Sequence, residues 1–220
     1  MNGKLVFDNL NLNDRVYLYL RDQIINNVLQ PGSKIEYGKI MEELGVSRTP
    51  LRDAMNRLQH DKLIEIKPRS GTHVSIPTRK DIKGVYDVRK VLEILAIEAA
   101  THTIPLAECK RLFDEADIAE EELKKGNLKP FYFSDRSLHQ AVIKYSNNNS
   151  LIEIMNTLEV QIKWFGILMT VNHERPFRAI AMHRKIIRAM HDRQVDDAKA
   201  LMEKHIEAVR EDILTDFPDK

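Results

Sequence analysis

The sequence predicts a mainly α protein built in two parts. A winged helix-turn-helix with a small β-hairpin wing is expected in residues 1–78, and an all-α bundle of about six helices in residues 79–220. Three observations predict it. Apolar residues recur every three to four positions through most of the chain, the period of a helix with one buried face. Residues 63–76 break that period with two short runs rich in Ile, Val and Thr around a turn. Beyond Pro77-Thr78 no strand pattern returns.

The first predicted helix covers residues 13–29, capped by Asn13 or Asp14, with Val16, Leu20, Ile24 and Val28 on one face. Gln30-Pro31-Gly32-Ser33 ends it in a turn. A short helix over 36–44 gathers Ile40, Met41 and Leu44, and Gly45 closes it because glycine accepts a left-handed backbone. Ser47 is expected to cap a third helix, 48–60, by offering its hydroxyl to the free amides there. The apolar face of that helix is Leu51, Ala54, Met55 and Leu58, and Pro50 is harmless in its first turn. Strands over 63–66 and 72–76 follow, joined by the basic turn Lys67-Pro68-Arg69-Ser70-Gly71. Six further helices are predicted near 80–102, 105–125, 129–146, 150–172, 176–191 and 194–215. Their breaks fall at Pro105, Gly126-Asn127, Asn147-Asn148-Asn149, Pro176 and Asp192.

Composition narrows the class. Hydrophobic residues at 43% and charged residues at 30% describe an ordinary globular chain rather than a disordered or fibrous one. No run approaches the ~20 apolar residues of a membrane span. The opening MNGKLVFDNLNLND lacks the apolar core of a secretory signal, so a cytoplasmic location with no membrane partner is expected. The single cysteine, Cys109, excludes an intramolecular disulfide and a multi-thiolate metal site, and reads as a small buried side chain. Net charge is only +1, but residues 46–80 hold eight basic residues against three acidic ones. A local basic excess of that kind suits phosphate contacts.

The segment Leu44-Gly45-Val46-Ser47-Arg48-Thr49-Pro50-Leu51-Arg52 joins the second and third helices as a helix-turn-helix does. In that motif the N-terminal end of the second of the two helices enters the major groove. Arg48, Thr49 and Arg52 project from that end, and a bidentate arginine–guanine pair is worth about 1–3 kcal/mol of discrimination. Ser47, Thr49 and the helix N-terminus suit phosphate oxygens, and Pro50 between them and Arg52 is counted among the DNA-facing residues. Arg69, Ser70 and Gly71 form the wing tip, placed for the adjacent minor groove or backbone. Each arginine alone reads as an ordinary surface residue; the basic hairpin behind them argues for double-stranded DNA.

In the helical part, Asp135 and His139 share a face at i,i+4, a spacing that suits two ligands of one metal ion. His183 and His205 stand on two further predicted helices, and together the four offer the nitrogen and oxygen donors that zinc accepts. Residue physics alone leaves the grouping open among a metal-centred ligand pocket, a metal sensor, a structural metal and a metal-dependent hydrolase. His60, His73, His102, His173 and His191 are read as surface or hydrogen-bonded side chains. No acid/base motif accompanies the four residues, so catalytic residues are not assigned and an enzyme is not expected.

The run GVSRTPLRDAMNRLQHDKLIEIKPRSGTHV resembles, in spacing and residue type, the winged-helix signature of GntR-type bacterial regulators, and PGSKIEYGKIMEEL before it fits too. One position departs. Most members carry an arginine where this chain has Gly38, which makes Lys39 the substitute for one backbone contact. From residue 79 on, the chain resembles the FCD effector domain of the FadR subgroup. Asp135-x-x-x-His139, Asn148, His183 and His205 follow the metal-binding version rather than the acyl-CoA-binding one. That resemblance implies a homodimeric regulator, most often a repressor, on a palindromic operator. It implies a divalent metal, zinc first with nickel, manganese or iron open, that helps hold a small carboxylate effector. Arg89 matches an arginine that pairs with such a carboxylate, and Asn148 a neighbouring contact. By spacing alone Arg89 also reads as an ion pair with Glu93, and Asn148 as a loop or cap residue.

Overall fold

The computed structural model describes residues 11–168 and 174–216. His173 and the end of the helix expected over 150–172 lie outside them. Among the described residues the order is α1 (Leu12–Ile25), α2 (Tyr37–Leu44), α3 (Arg48–His60), β1 (Ile64–Lys67), β2 (Gly71–Val74), then α4 (Arg79–Thr103), α5 (Leu106–Lys124), α6 (Lys129–Tyr145), α7 (Asn149–Leu168), α8 (Glu174–His191) and α9 (Val195–Asp216). This is the mainly helical architecture, with one small antiparallel hairpin, that the periodicity predicts. No described helix is long and apolar enough to cross a membrane. The chain divides into two compact units: residues up to Pro77 with Lys163–Leu168, and Thr78–Ile162 with the residues from 169 on.

In the first unit, Val16, Leu20, Ile24 and Ile25 of α1 meet the buried face of α3, Leu51, Ala54, Met55 and Leu58. Polar contacts reinforce that packing. The Tyr17 hydroxyl donates to Asp61 at 2.5 Å, the Arg57 guanidinium lies 3.9 Å from the centre of the Tyr17 ring, and Arg57 also pairs with Asp14. Helix α1 starts one residue earlier than expected, because Asn11 rather than Asn13 or Asp14 caps it, accepting from the Asp14 amide. It also stops at Ile25. Asn27 takes a left-handed φ of 59°, and Val28, expected on the apolar face, is exposed beyond the helix. Gly45 has the left-handed φ of 62° expected of it.

Strands β1 and β2 pair Ile64 with Val74 and Lys67 with Gly71. The outer edge of β2 carries a third piece of chain that periodicity did not reveal. Ile35 donates to the Thr72 carbonyl, Val74 to that of Ser33, and Gly32 to that of Val74, with a bridge between Lys34 and His73. The turn after α1 therefore returns as a partner of the wing.

In the second unit α4 packs against α6, α8 and α9, while α5 packs against α6 and α8. A capping box between Thr78 and Asp81 starts α4. Arg193, held at φ 59°, finishes it by donating to the carbonyls of Thr101 and Ile104. Ala116, Ala119 and Leu123 of α5 and Ile180 of α8 are buried together, with Phe131 of α6 against them. Cys109 of α5 is fully buried, and burial raises its thiol pKa.

Candidate metal centre and nucleic-acid interface

Three helices of the second unit deliver one largely buried polar cluster. Helix α6 supplies Asp135 and His139, α8 supplies His183 and α9 supplies His205. The i,i+4 spacing puts the α6 pair on one face, and α8 and α9, packed antiparallel-fashion through a short turn at Asp192, bring the other two rings alongside. One donor atom of each residue lies within 4.8 Å of all the others.

The Nε2 of His205 is 3.2 Å from that of His139 and 3.3 Å from that of His183. Asp135 Oδ1 lies 3.4 Å from His183 Nε2 and 3.9 Å from His139 Nε2. Atoms held at about 2.0–2.1 Å from one ion, at tetrahedral to octahedral angles, stand about 3.0–3.4 Å apart. Three of the four separations therefore match a shared ion, with Asp135 slightly back on the side where its side chain meets solvent. Burial lowers the pKa of His183 to about 4, and burial with the neighbouring His183 and His139 lowers that of His205. Both rings are thus neutral at physiological pH, the state in which imidazole offers a lone pair. Donor types, spacing and protonation all fit a divalent metal.

Arg89 and Glu93 of α4 adjoin this cluster. Arg89 Nε donates to Glu93 Oε1 at 2.6 Å, and the other Glu93 oxygen meets Nδ1 of His139. The Arg89 guanidinium sits 5.3 Å from the centre of the Tyr86 ring and within electrostatic reach of Asp135. The ion pair expected from spacing alone is present, and it is fully buried rather than on the surface. Asn148 is exposed, and its carboxamide oxygen accepts from the Leu151 amide to cap α7. Sequence reasoning gives Glu93 only as the ion-pair partner of Arg89 and misses its contact with His139. Its place four residues after Arg89 signals the first of these alone.

In the first unit, Lys39, Ser47, Arg48, Thr49, Arg52, Arg69, Ser70 and Gly71 are all exposed. Arg48 and Arg52 stand one helical turn apart on α3, and Asn56, not singled out from sequence, extends the same exposed row by another turn. Arg69 takes a left-handed φ of 65° at the wing tip. Two expectations need correction. Ser47 occupies the N-cap position of α3 but makes no side-chain capping bond. Pro50 is buried at the third position of α3, so it shapes the helix start and presents nothing to a ligand. Gly38 faces open space, and nothing lies within 4 Å of where its side chain would begin.

Two stretches of the chain match known families. Residues 12–74 match the gntR family of bacterial regulatory proteins, and residues 84–208 match the FCD domain. The chain is 26% identical over 184 residues to the HTH-type transcriptional regulator YdhC of Bacillus subtilis, covering 83% of this chain and 82% of that one. It is 28% identical over 154 residues to the gluconate operon transcriptional repressor of the same species, covering 70% and 63%. A GntR transcriptional regulator from Rhodococcus sp. RHA1 shares the fold with a TM-score of 0.80 at 24% identity, over 94% of this chain and 99% of that one.

Proposed function

The chain belongs to the GntR family of transcriptional regulators in the form that carries an FCD domain, and from that premise we propose a metal-dependent repressor that answers to a small carboxylate. Its relatives are regulators rather than enzymes, which disposes of the hydrolase alternative. The observation that carries the effector reading is the convergence of three buried Nε2 atoms and the Asp135 carboxylate beside a buried arginine.

When bound, a divalent ion supplies a Lewis-acidic anchor for one oxygen of a carboxylate. Three imidazoles and one carboxylate suit zinc first, with nickel, manganese or iron compatible with the same donors. His139, His183, His205 and Asp135 hold the ion, and Arg89 orients the acid by a charge-assisted hydrogen bond from the part of its guanidinium that Glu93 leaves open. Asn148, at the start of α7, is the candidate for a further contact. The gluconate operon repressor among the relatives regulates genes named for a carboxylate, which favours that effector class.

On the DNA side, Arg48 and Arg52 read base edges, Thr49 and Ser47 bind phosphate with Lys39, and Arg69, Ser70 and Gly71 follow the adjacent groove. Residues 1–78 act as the reader and residues 79–220 as the effector and dimerisation domain. A second copy is favoured by a stripe on α4. Val88, Val91 and Leu95 lie on it at i, i+3 and i+7, with Val91 64% exposed and Gly84 continuing the row. Two copies would place two recognition helices on the halves of a palindrome. Effector coupling of ~1–3 kcal/mol is enough to shift operator occupancy.

The deciding experiment selects a duplex from random DNA, then titrates binding with metal alone and with metal plus a panel of small acids. Release by one acid only when metal is present supports the reading. If metal alone switches binding across its physiological range, the chain is a metal sensor, and the carboxylate reading fails.

A further inference from the structure

Glu93 is completely buried and is not among the four metal ligands. A carboxylate in such a place must be satisfied on both oxygens or carry a large cost. Here each oxygen has a different client. Oε1 accepts from Nε of Arg89, and Oε2 takes Nδ1 of His139. The partners belong to the two halves of the proposed site, the anion-binding arginine and the metal-binding ring. His183 provides the contrast, since its Nδ1 is buried with no partner among the described residues.

Resting on the metal-centre reading, we propose that Glu93 is the positioning residue through which the metal centre and Arg89 sense each other. An ionised acceptor on Nδ1 of His139 keeps the proton there, so that Nε2 presents its lone pair to the cluster and gains basicity. The same carboxylate anchors Arg89 through Nε and leaves the far edge of the guanidinium for an anion. Both bonds originate from one short side chain on the buried face of α4, so Glu93 cannot follow one partner without loosening its hold on the other. An ion that draws His139 toward it therefore alters how firmly Arg89 is held. By reciprocity, an anion on Arg89 alters the affinity for metal.

The test uses the full-length protein and cobalt(II) as probe, read by chelator competition and by the visible ligand-field spectrum. Arg89→Gln alone keeps the Glu93 carboxylate on His139. The pair Arg89→Gln with Glu93→Gln removes it without leaving an unpaired arginine in the interior, and Arg89→Gln with Glu93→Asp keeps the charge while withdrawing the reach. Relative to Arg89→Gln, both doubles are expected to bind cobalt roughly ten- to a hundredfold more weakly, with a shifted spectrum. A weakening confined to the Gln double marks a bulk charge effect and overturns positioning. So does equal affinity in all three. Absence of cobalt binding by the wild-type chain overturns the metal centre itself, an outcome distinct from failure of Glu93 alone.

Discussion

The Nε2 atoms of His183 and His205 face each other at 3.3 Å between buried rings, with the Nε2 of His139 3.2 Å from that of His205. One nitrogen cannot satisfy two others that also need a donor, so three lone pairs converge on one region. His205 is common to both short separations, and His205→Ala is expected to lose metal binding. In a melting experiment zinc at a hundredfold excess over its dissociation constant should stabilise the wild type by about 2.7 kcal/mol. The variant should show no such shift. An equal zinc response in both proteins would remove His205 from the metal site.

Protonation should destabilise the metal-free FCD domain from the acid side. An unfolded chain holds His183 at 6.5, whereas burial holds it at about 4 in the fold. Between those values the unfolded state binds the proton and the folded state does not, so stability present above 6.5 is lost as pH falls toward 4. Glu93 adds a second loss. Burial raises its pKa, but the charges of His139 and Arg89 outweigh that and bring it down to about 2 from 4.5. Urea midpoints of chelator-treated protein should decline through both windows. A flat profile from 6.5 to 4 would contradict the burial of a neutral His183.

Operator recognition should depend on α3. Arg48→Ala and Arg52→Ala each remove one exposed guanidinium and are expected to weaken binding to a selected duplex by about 1–3 kcal/mol, roughly tenfold to a hundredfold. The thermal melt and the zinc response should stay as in the wild type. Normal operator affinity in both variants would sink the assignment of α3 as the reader.

Gly38 invites the opposite change. Its surroundings are open and its backbone is helical, so Gly38→Ala is expected to raise stability by about 1 kcal/mol. Gly38→Arg should fit equally well and tighten DNA binding with a steeper salt dependence, since it adds one phosphate contact. If salt slope and affinity both stay unchanged, α2 does not reach the backbone.

The α4 stripe should be a subunit contact. Val91→Glu places a charge at its most exposed apolar residue and is expected to yield monomers by light scattering, with metal binding retained and palindrome affinity sharply reduced. A Val91→Glu protein that keeps the oligomeric state of the wild type would move the interface elsewhere.

Much of the fold was legible because its elements are strongly periodic. The bounds of α3 follow from Ser47 and the Leu51, Ala54, Met55, Leu58 repeat, and Gly45 declares its own backbone. The Lys34 to His73 bridge was not legible, since a backbone pairing across 39 residues leaves no local pattern in side-chain type. Asn11 displaced two equally good capping candidates, a choice that depends on where the first turn closes rather than on residue chemistry. In the site, the α6 pair could be read from its spacing, but the union with His183 and His205 depends on how three helices pack. The contact of Glu93 with His139 escaped for the same reason. Its helix-local partner, Arg89, accounted for it fully at the level of sequence, and its second partner comes from α6.

Cys109 gives the molecule a silent chronometer. Its sulfur is shut inside α5 with an elevated pKa, so alkylating reagents should find no thiolate while the helices stay docked. The chain has no other thiol. Each labelled molecule would therefore be one whose FCD domain had opened, and the labelling rate, followed as metal and acids are added, would count those openings one at a time.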